Sequence, residues 1–470
     1  MINPYKKQII TALSVGLLFA SCVTKKYQQP ALNTSNVYRD TTITDSTNIA
    51  NLPVNQLFTD TVLQNLIAEG IRNNYDLKTA IQRINEAQAN LRQAKLAYYP
   101  SLSGSAQVTR AKQSAAGLNF PPEFANSFNL TTTTYQLGLS ASWEADIWGK
   151  MSSSKRAALA SLLQSDAAKR AVQTQLISDI ANNYYSLLAY DKQLAITEQT
   201  VKNRISDVET MKALKESAVV TGAAVVQSEA NRYAAEVTIP DLKRSIRETE
   251  NTLCILLARA PGTIKRTNLD DQKAYTNLLV GVPSQLLKNR PDVQEAEFAF
   301  RSAFENTNLA RTYFYPSLTI SGEGGVSALR VKSLFEHSIF YNVVGGLTQP
   351  IFNRGENKAR LRTAQAQQIE AFYSFQKSFL TAGQEVSNAL YAYQTAVEKE
   401  SSRAKQLEAL QKAVDYTKEL LKYSSATNYT DVLTSEQSLL AAQLSSVNDN
   451  LQQLQSVVNL YRALGGGWKQ

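Results

Sequence analysis

Apolar and polar positions alternate along four stretches of this chain. After Pro100, Leu102, Gly104, Ala106 and Val108 alternate with Ser101, Ser103, Ser105, Gln107 and Thr109. The pattern returns at Tyr135, Leu137, Leu139, Ala141, Trp143 and Ala145, set against Gln136, Ser140, Ser142, Glu144 and Asp146. It appears twice more, at Leu318, Ile320, Gly322, Gly324 and Val326 and at Ile339, Tyr341, Val343, Gly345 and Leu347. Period two over about ten residues predicts strands of a membrane barrel, apolar towards lipid and polar towards a lumen. A half-buried soluble sheet carries the same alternation. The turn-rich stretches Lys112 to Thr134, with Pro121-Pro122, and Leu329 to Ser338 read as outer loops between paired strands.

Most of the remaining chain carries helical spacing. Leu440, Leu444, Val447, Leu451, Leu454 and Val458 step by four and three residues, a coiled-coil seam. Val386, Leu390, Tyr393 and Val397 keep that spacing, as do Leu194, Val201, Ile205 and Val208. No proline falls between Gly149 and Ala218, so one helix of roughly 65 residues, about 100 Å long, is expected there. Breaks at Ser217 to Ala224 and Ser424 to Thr430 turn each long helix back on itself.

The pattern is stated twice. Asn73, Asp76, Ala80, Ala87, Asn90, Ala94, Tyr99, Pro100, Ser101, Leu102 and Ser105 recur without a gap as Asn289, Asp292, Ala296, Ala303, Asn306, Ala310, Tyr315, Pro316, Ser317, Leu318 and Ser321, an offset of 216 residues. Each copy has one order: a helix ending in Tyr-Pro-Ser-Leu, two strands, a long helix out, a break and a long helix back. Two strands per copy make four per chain, too few to close a barrel whose edges hydrocarbon does not tolerate. The chain must pool its strands with other copies of itself.

The N-terminus adds a compartment. Lys6 and Lys7 precede the apolar run Ile9 to Ala20, which ends in Ser21-Cys22. The run is shorter than the roughly 18 residues of a membrane span, so it reads as a signal peptide. Leu18-Phe19-Ala20-Ser21-Cys22 resembles a bacterial lipobox that would make Cys22 the acylated first residue; an ordinary secretory signal with an incidental cysteine is the alternative. The stretch from Val23 to Asn51, rich in Ser, Thr, Asn and Gln, reads as a tether.

Composition narrows the chemistry. One histidine among 470 residues leaves little general-base or zinc chemistry, and His337 reads as a loop residue. Cys254 lies in the apolar segment Leu253 to Leu257 and reads as a small buried hydrophobe, so no internal disulfide is expected. The formal charge of +9 is dispersed through the helices without a basic block, which argues against nucleic acid. No catalytic residue, metal ligand or cofactor site stands out.

Several motifs together resemble the outer-membrane efflux factors of the TolC type, in their lipidated NodT-like branch. They are Leu57-Phe58-Thr59-Asp60 with Leu63 and Leu66-Ile67; Asn73-Asn74-Tyr75-Asp76-Leu77; Tyr99-Pro100-Ser101-Leu102; and Trp143-Glu144-Ala145-Asp146-Ile147-Trp148-Gly149. Asn289-Arg290-Pro291-Asp292-Val293, Gln349-Pro350-Ile351-Phe352 with Gly355, and Leu460-Tyr461-Arg462-Ala463-Leu464-Gly465-Gly466-Gly467-Trp468 complete the order.

The resemblance implies an α+β membrane protein: an antiparallel coiled-coil barrel of long helices joined to a transmembrane β-barrel of twelve strands, four from each chain of a homotrimer. It implies boundaries at 1–21 for the signal, 22–52 for the lipidated tether, 53–260 and 283–468 for the two repeats, and 261–282 for the segment between them. It also implies a conduit that takes small molecules, drugs and metals among them, from a periplasmic adaptor and an inner-membrane pump of the RND type. Type I protein secretion is a second use of such a conduit. A coiled-coil structural lipoprotein or a periplasmic adaptor is the alternative without a channel; the duplicated strands favour the conduit. In this family the hairpin tips dock on the adaptor and a glycine commonly marks each tip. The matching positions here are Ala218 with Gly222 nearby, and Ser424 with Asn428. A periplasmic gate would fall on Asp415 and Glu419, one turn apart before the second tip; solvated outer-face charges are the other reading.

Overall fold

The computed structural model describes residues 24–34, 37–39, 47–114, 117, 129–423 and 429–469. Among the sequence expectations, the signal run, Cys22, Pro121-Pro122, Ser424 and Asn428 lie outside the described residues. After single turns near residue 50, the chain forms helices α1 (Thr61–Asn73) and α2 (Tyr75–Leu96), strands β1 (Ser101–Lys112) and β2 (Thr131–Ala145), and helix α3 (Lys150–Glu216). It returns through α4 (Gly222–Glu236) and α5 (Thr238–Leu256). The second copy runs α6 (Pro291–Thr312), β3 (Ser317–Ala328), β4 (Ile339–Thr348), α7 (Glu356–Tyr423) and α8 (Tyr429–Ala463).

The expected long helices are present: α3 has 67 residues and α7 has 68, each about 100 Å at 1.5 Å per residue. The two return paths differ. α8 runs unbroken for 35 residues, whereas the first copy's return is divided at Val237. Pro240 explains the division, because its ring nitrogen cannot donate to the Glu236 carbonyl four residues earlier.

Contacts divide the molecule into two compact units. One gathers Met1–Pro30, Asn85–Leu163 and Glu297–Tyr373. Its centre is a four-stranded antiparallel sheet in the order β1-β2-β3-β4. Register pairs Ser103 with Ser140, Ser140 with Glu323 and Glu323 with Asn342, so polar positions share one face as the alternation requires. Strands β1 and β2 reach further than expected, leaving residues 113–130 as the first loop. Thr131 to Thr134 are polar on both faces, so alternation gave no signal there, but their backbones complete the ladder opposite Thr109 to Lys112.

The other unit gathers Ala31–Ile84, Gln164–Ala296 and Ser374–Gln470. Its core contains Tyr184, Leu187, Leu253, Phe375, Phe379 and Leu460, all at most 2% exposed. Asp60 caps α1, accepting from the Val62 and Leu63 amides, and also accepts from Tyr184 Oη, Thr267 Oγ1 and Gln272 Nε2. Cys254 is buried and donates to the Gly262 carbonyl, as its apolar setting suggests. The seam on α8 is buried at Val447, Leu454 and Val458. On α7 it turns inward through Val386, Ala389 and Ala396, and the expected Val397 is 40% exposed instead.

Candidate functional site: strand barrel, helix tips and gate

The junction between helix and strand is built from the family motifs. Asp146 caps α3 through the Met151 and Ser152 amides, and Gly149 at φ +76° turns the chain from strand into helix. Trp148 donates to the Pro316 carbonyl at 2.7 Å and stacks on Tyr315, 5.0 Å between ring centres. Trp143 donates to the Tyr98 carbonyl. The Trp and Tyr-Pro-Ser-Leu motifs therefore fix the direction in which strands leave the helices. Tryptophan and tyrosine suit a membrane boundary, where a ring can be half apolar and half hydrogen-bonded.

Sequence reasoning missed a clasp in the same unit. The Lys25 amide donates to Asn308 Oδ1 at 3.1 Å, and Asn308 Nδ2 donates to the Lys25 carbonyl at 2.8 Å. The Tyr27 ring lies against Phe300 and Phe304, with the Arg301 guanidinium 5.5 Å above it, and Gln29 donates to Glu297. Positions 297, 300, 301, 304 and 308 form one stripe of α6. Residues 24–29 of the expected tether are thus held along a helix. The aromatic residue within a polar run was the available signal.

At the first tip, Ala218 adopts φ +56°. Its amide bonds to the Lys215 carbonyl and the Val219 amide to the Leu214 carbonyl, a left-handed C-terminal cap in which alanine stands where glycine is usual. Gly222 plays a different part: it opens α4 behind the Thr221 cap, outside the left-handed region. His337 also takes a left-handed conformation, φ +53°, in the turn before β4. That fits its expected loop role.

Asp415 and Glu419 lie one turn apart on an exposed stripe of α7, and Asp415 accepts from Gln411 at 3.0 Å. Asp415 faces a cleft of about 570 Å³ that Arg204, Lys418 and Glu436 also line. The intervening Lys418 turns inward and bridges Asp207 at 3.3 Å and Glu436 at 2.5 Å. Burial alone would lower the Lys418 ammonium, but the hydrogen bond and charge of Glu436, with Asp207 behind, hold it above the ordinary lysine value. Tyr429 donates to Ser228 beneath, beside Met211, Val225, Val432 and Leu433. The tip ends of the helices are thus tied by charge and by a small apolar cluster.

Among the described residues no cluster of His, Cys, Asp and Glu could hold a metal, and no helix is long and apolar enough to cross a membrane.

The family model described as "Outer membrane efflux protein" matches residues 66–259 and 282–466. The cation efflux system protein CusC of Escherichia coli is 29% identical, with 97% of this chain and 98% of that protein covered. The probable outer membrane lipoprotein SilC of Salmonella typhimurium is 30% identical over 87% of each. A solved membrane protein from Pseudomonas aeruginosa superposes with a TM-score of 0.85 at 26% identity, covering 95% of this chain and 97% of the other. The chain belongs to the outer membrane efflux protein family, and it is an outer-membrane efflux channel built from long helical hairpins and four barrel strands per subunit of a trimer.

Proposed function

We propose that three copies of this chain form a lipid-anchored conduit that passes small molecules, drugs and metals among them, to the outside. It receives them from a periplasmic adaptor and an inner-membrane pump of the RND type. The conduit catalyses no reaction and carries no cofactor; the pump supplies the energy. The observation that carries this reading is the open sheet: β1 and β4 stand at its two edges, and β1 is exposed along all 12 residues. Joining β4 of one copy to β1 of the next closes twelve strands and removes every edge. Ile339, Tyr341, Val343 and Leu347, each at least 67% exposed in the single chain, then turn to outer-membrane lipid.

Residues 1–21 are a signal, Cys22 is acylated, 22–52 lead into the first repeat, and 261–282 join the repeats 53–260 and 283–468. Cys22 stands two residues before Thr24, which packs against Gly149 beside the strand junction. Ala218 with Gly222, and Ser424 with Asn428, form the adaptor-docking tips. Asp415 and Glu419 form the periplasmic gate, where three close pairs of carboxylates repel and hold cations.

Reconstitution in planar bilayers tests the reading. The wild type is expected to give stepwise conductance, Asp415→Ala to change its resting value, and Cys22→Ser to lose incorporated palmitate. A detergent-purified protein without conductance contradicts the conduit. An unchanged Asp415→Ala conductance removes the gate assignment alone.

A further inference from the structure

We propose that Glu323 makes the membrane barrel itself prefer cations, at a level separate from Asp415 and Glu419. The inference rests on the trimeric conduit proposed above. The polar face of the sheet is formed by alternate residues from Ser101 to Ala111, Thr132 to Glu144, Ser317 to Ser327 and Phe340 to Thr348. Among these described residues only Glu144 and Glu323 carry charge. Lys150 neutralises Glu144 at 2.9 Å, at the helical end of β2. Arg110 and Lys112 alternate onto the opposite face. Glu323 is therefore the one charge on the polar face without an opposite charge beside it.

Its surroundings hold the carboxylate in place without neutralising it. Gln136 Nε2 donates to Oε1 at 3.1 Å from the neighbouring strand. Gly138 leaves room: a Cβ there would lie 3.5 Å from that same oxygen and 3.7 Å from Ser105 Oγ. The residues level with it, Ser103, Ser140 and Asn342, are neutral. A neutral amide that donates to a carboxylate leaves the full negative charge facing the lumen.

The size of the ring decides whether three such charges matter. Twelve strands about 4.8 Å apart and tilted by about 40° close at a backbone radius of about 12 Å. Glutamate reaches about 5 Å inward, which leaves about 7 Å to the axis. That is inside the Debye length of about 10 Å at 0.1 M salt and beyond the 3 Å or so at 1 M. The three fields overlap on the axis at low salt and are screened apart at high salt, so cations are enriched and anions depleted only in the first case.

Reversal potentials of the reconstituted trimer across about a tenfold KCl gradient, centred near 0.1 M, test this. The wild type is expected to favour K⁺ over Cl⁻, Glu323→Gln to lower that ratio at least about threefold, and the difference to vanish near 1 M. Ser140→Lys places a positive charge level with Glu323 and is expected to cancel the preference with Glu323 intact. It supplies the answer if Glu323→Gln fails to assemble. Conducting trimers in which either variant keeps the wild-type ratio overturn the inference and leave the conduit standing. A wild type that forms no channel overturns the conduit first.

Discussion

The two copies of the repeat solve one structural problem with different chemistry. In each, the residue before the helix that leads into the strands donates to the carbonyl end of that copy's return helix. In the first copy it is Asn74, whose Nδ2 donates to the Leu256 carbonyl at 3.0 Å while its Oδ1 caps α2 through the Leu77 amide. In the second it is Arg290, which donates to the Ala463 carbonyl at 3.0 Å and pairs with Asp292 and Glu385. Arginine cannot cap the N-terminus of the following helix as Asn74 does, having no acceptor. Pro291 lowers the need by removing one orphan amide, and Asp292 supplies the negative charge that the helix start favours. The duplicated backbone thus keeps its geometry while one joint becomes ionic, and the ionic joint also gathers the C-terminus. Trp468 donates to the Asn289 carbonyl and Lys469 to Asn289 Oδ1.

Breaking these joints sharpens the contrast. Arg290 is 4% exposed, and Arg290→Ala leaves Asp292, Glu385 and the Ala463 carbonyl without their shared donor. Asp292 and Glu385 are partly exposed and Glu385 keeps Arg462, so a loss of about 2–4 kcal/mol is expected in thermal unfolding of the detergent-solubilised protein. Asn74→Ala removes a cap and one neutral bond and is expected to cost about 1–3 kcal/mol. Equal losses would show that the two joints are equivalent after all.

The ends of the return helices give a smaller contrast of the same kind. Gly465 at φ +83° passes so close to Asn289 that a Cβ would run into its carbonyl, whereas Ala258 at φ +56° ends α5 with a side chain in place. Gly465→Ala is expected to destabilise by more than the 1–2 kcal/mol or so of left-handed strain alone, and Ala258→Gly to cost nothing or to stabilise by up to about 1 kcal/mol. Ala218→Gly at the first tip belongs with Ala258→Gly. Hydrogen exchange at Val219 is expected to slow in that variant, and unchanged exchange would leave the strain argument without support.

The smallest expected effect is one of pH. Burial alone would raise the Asp60 carboxyl, but bonds from Thr267, Tyr184, the Val62 amide and Gln272 together bring it below the ordinary carboxylate value. A lowered value in the folded state means that the stabilisation is complete above the unfolded aspartate value near 3.9 and is lost as pH falls through the folded one. At the repeat's offset of 216 residues Asp60 falls on Thr276, which is no carboxylate and lies in the segment between the copies. Asp60→Asn is expected to flatten the acid limb of the stability curve below about pH 4, and an unaltered limb would assign that limb to other groups.

Much of this architecture was legible in the chain because it rests on periodicity. Alternation fixed the faces of β2 and β3, and the absence of proline after Gly149 gave α3 nearly to its ends. The joints were less legible. Asn74 and Arg290 stand out as motif residues, but their partners Leu256 and Ala463 lie 182 and 173 residues away and carry no distinctive chemistry of their own. Polar residues 24–29 look like a linker until Asn308 and the Phe300 to Phe304 stripe supply what they pack on. Glu323 is the one carboxylate in a serine and glycine strand, yet its isolation emerges only when the register shows that no cation among the described strand residues shares its face.

Four strands per chain become a barrel only by joining other copies. Native mass measurement of detergent-extracted protein from the outer-membrane fraction tests it directly, before and after heating. Unheated protein is expected as a three-chain complex that runs compactly on a gel and falls to single chains on boiling. A single chain that stays soluble without detergent would contradict it.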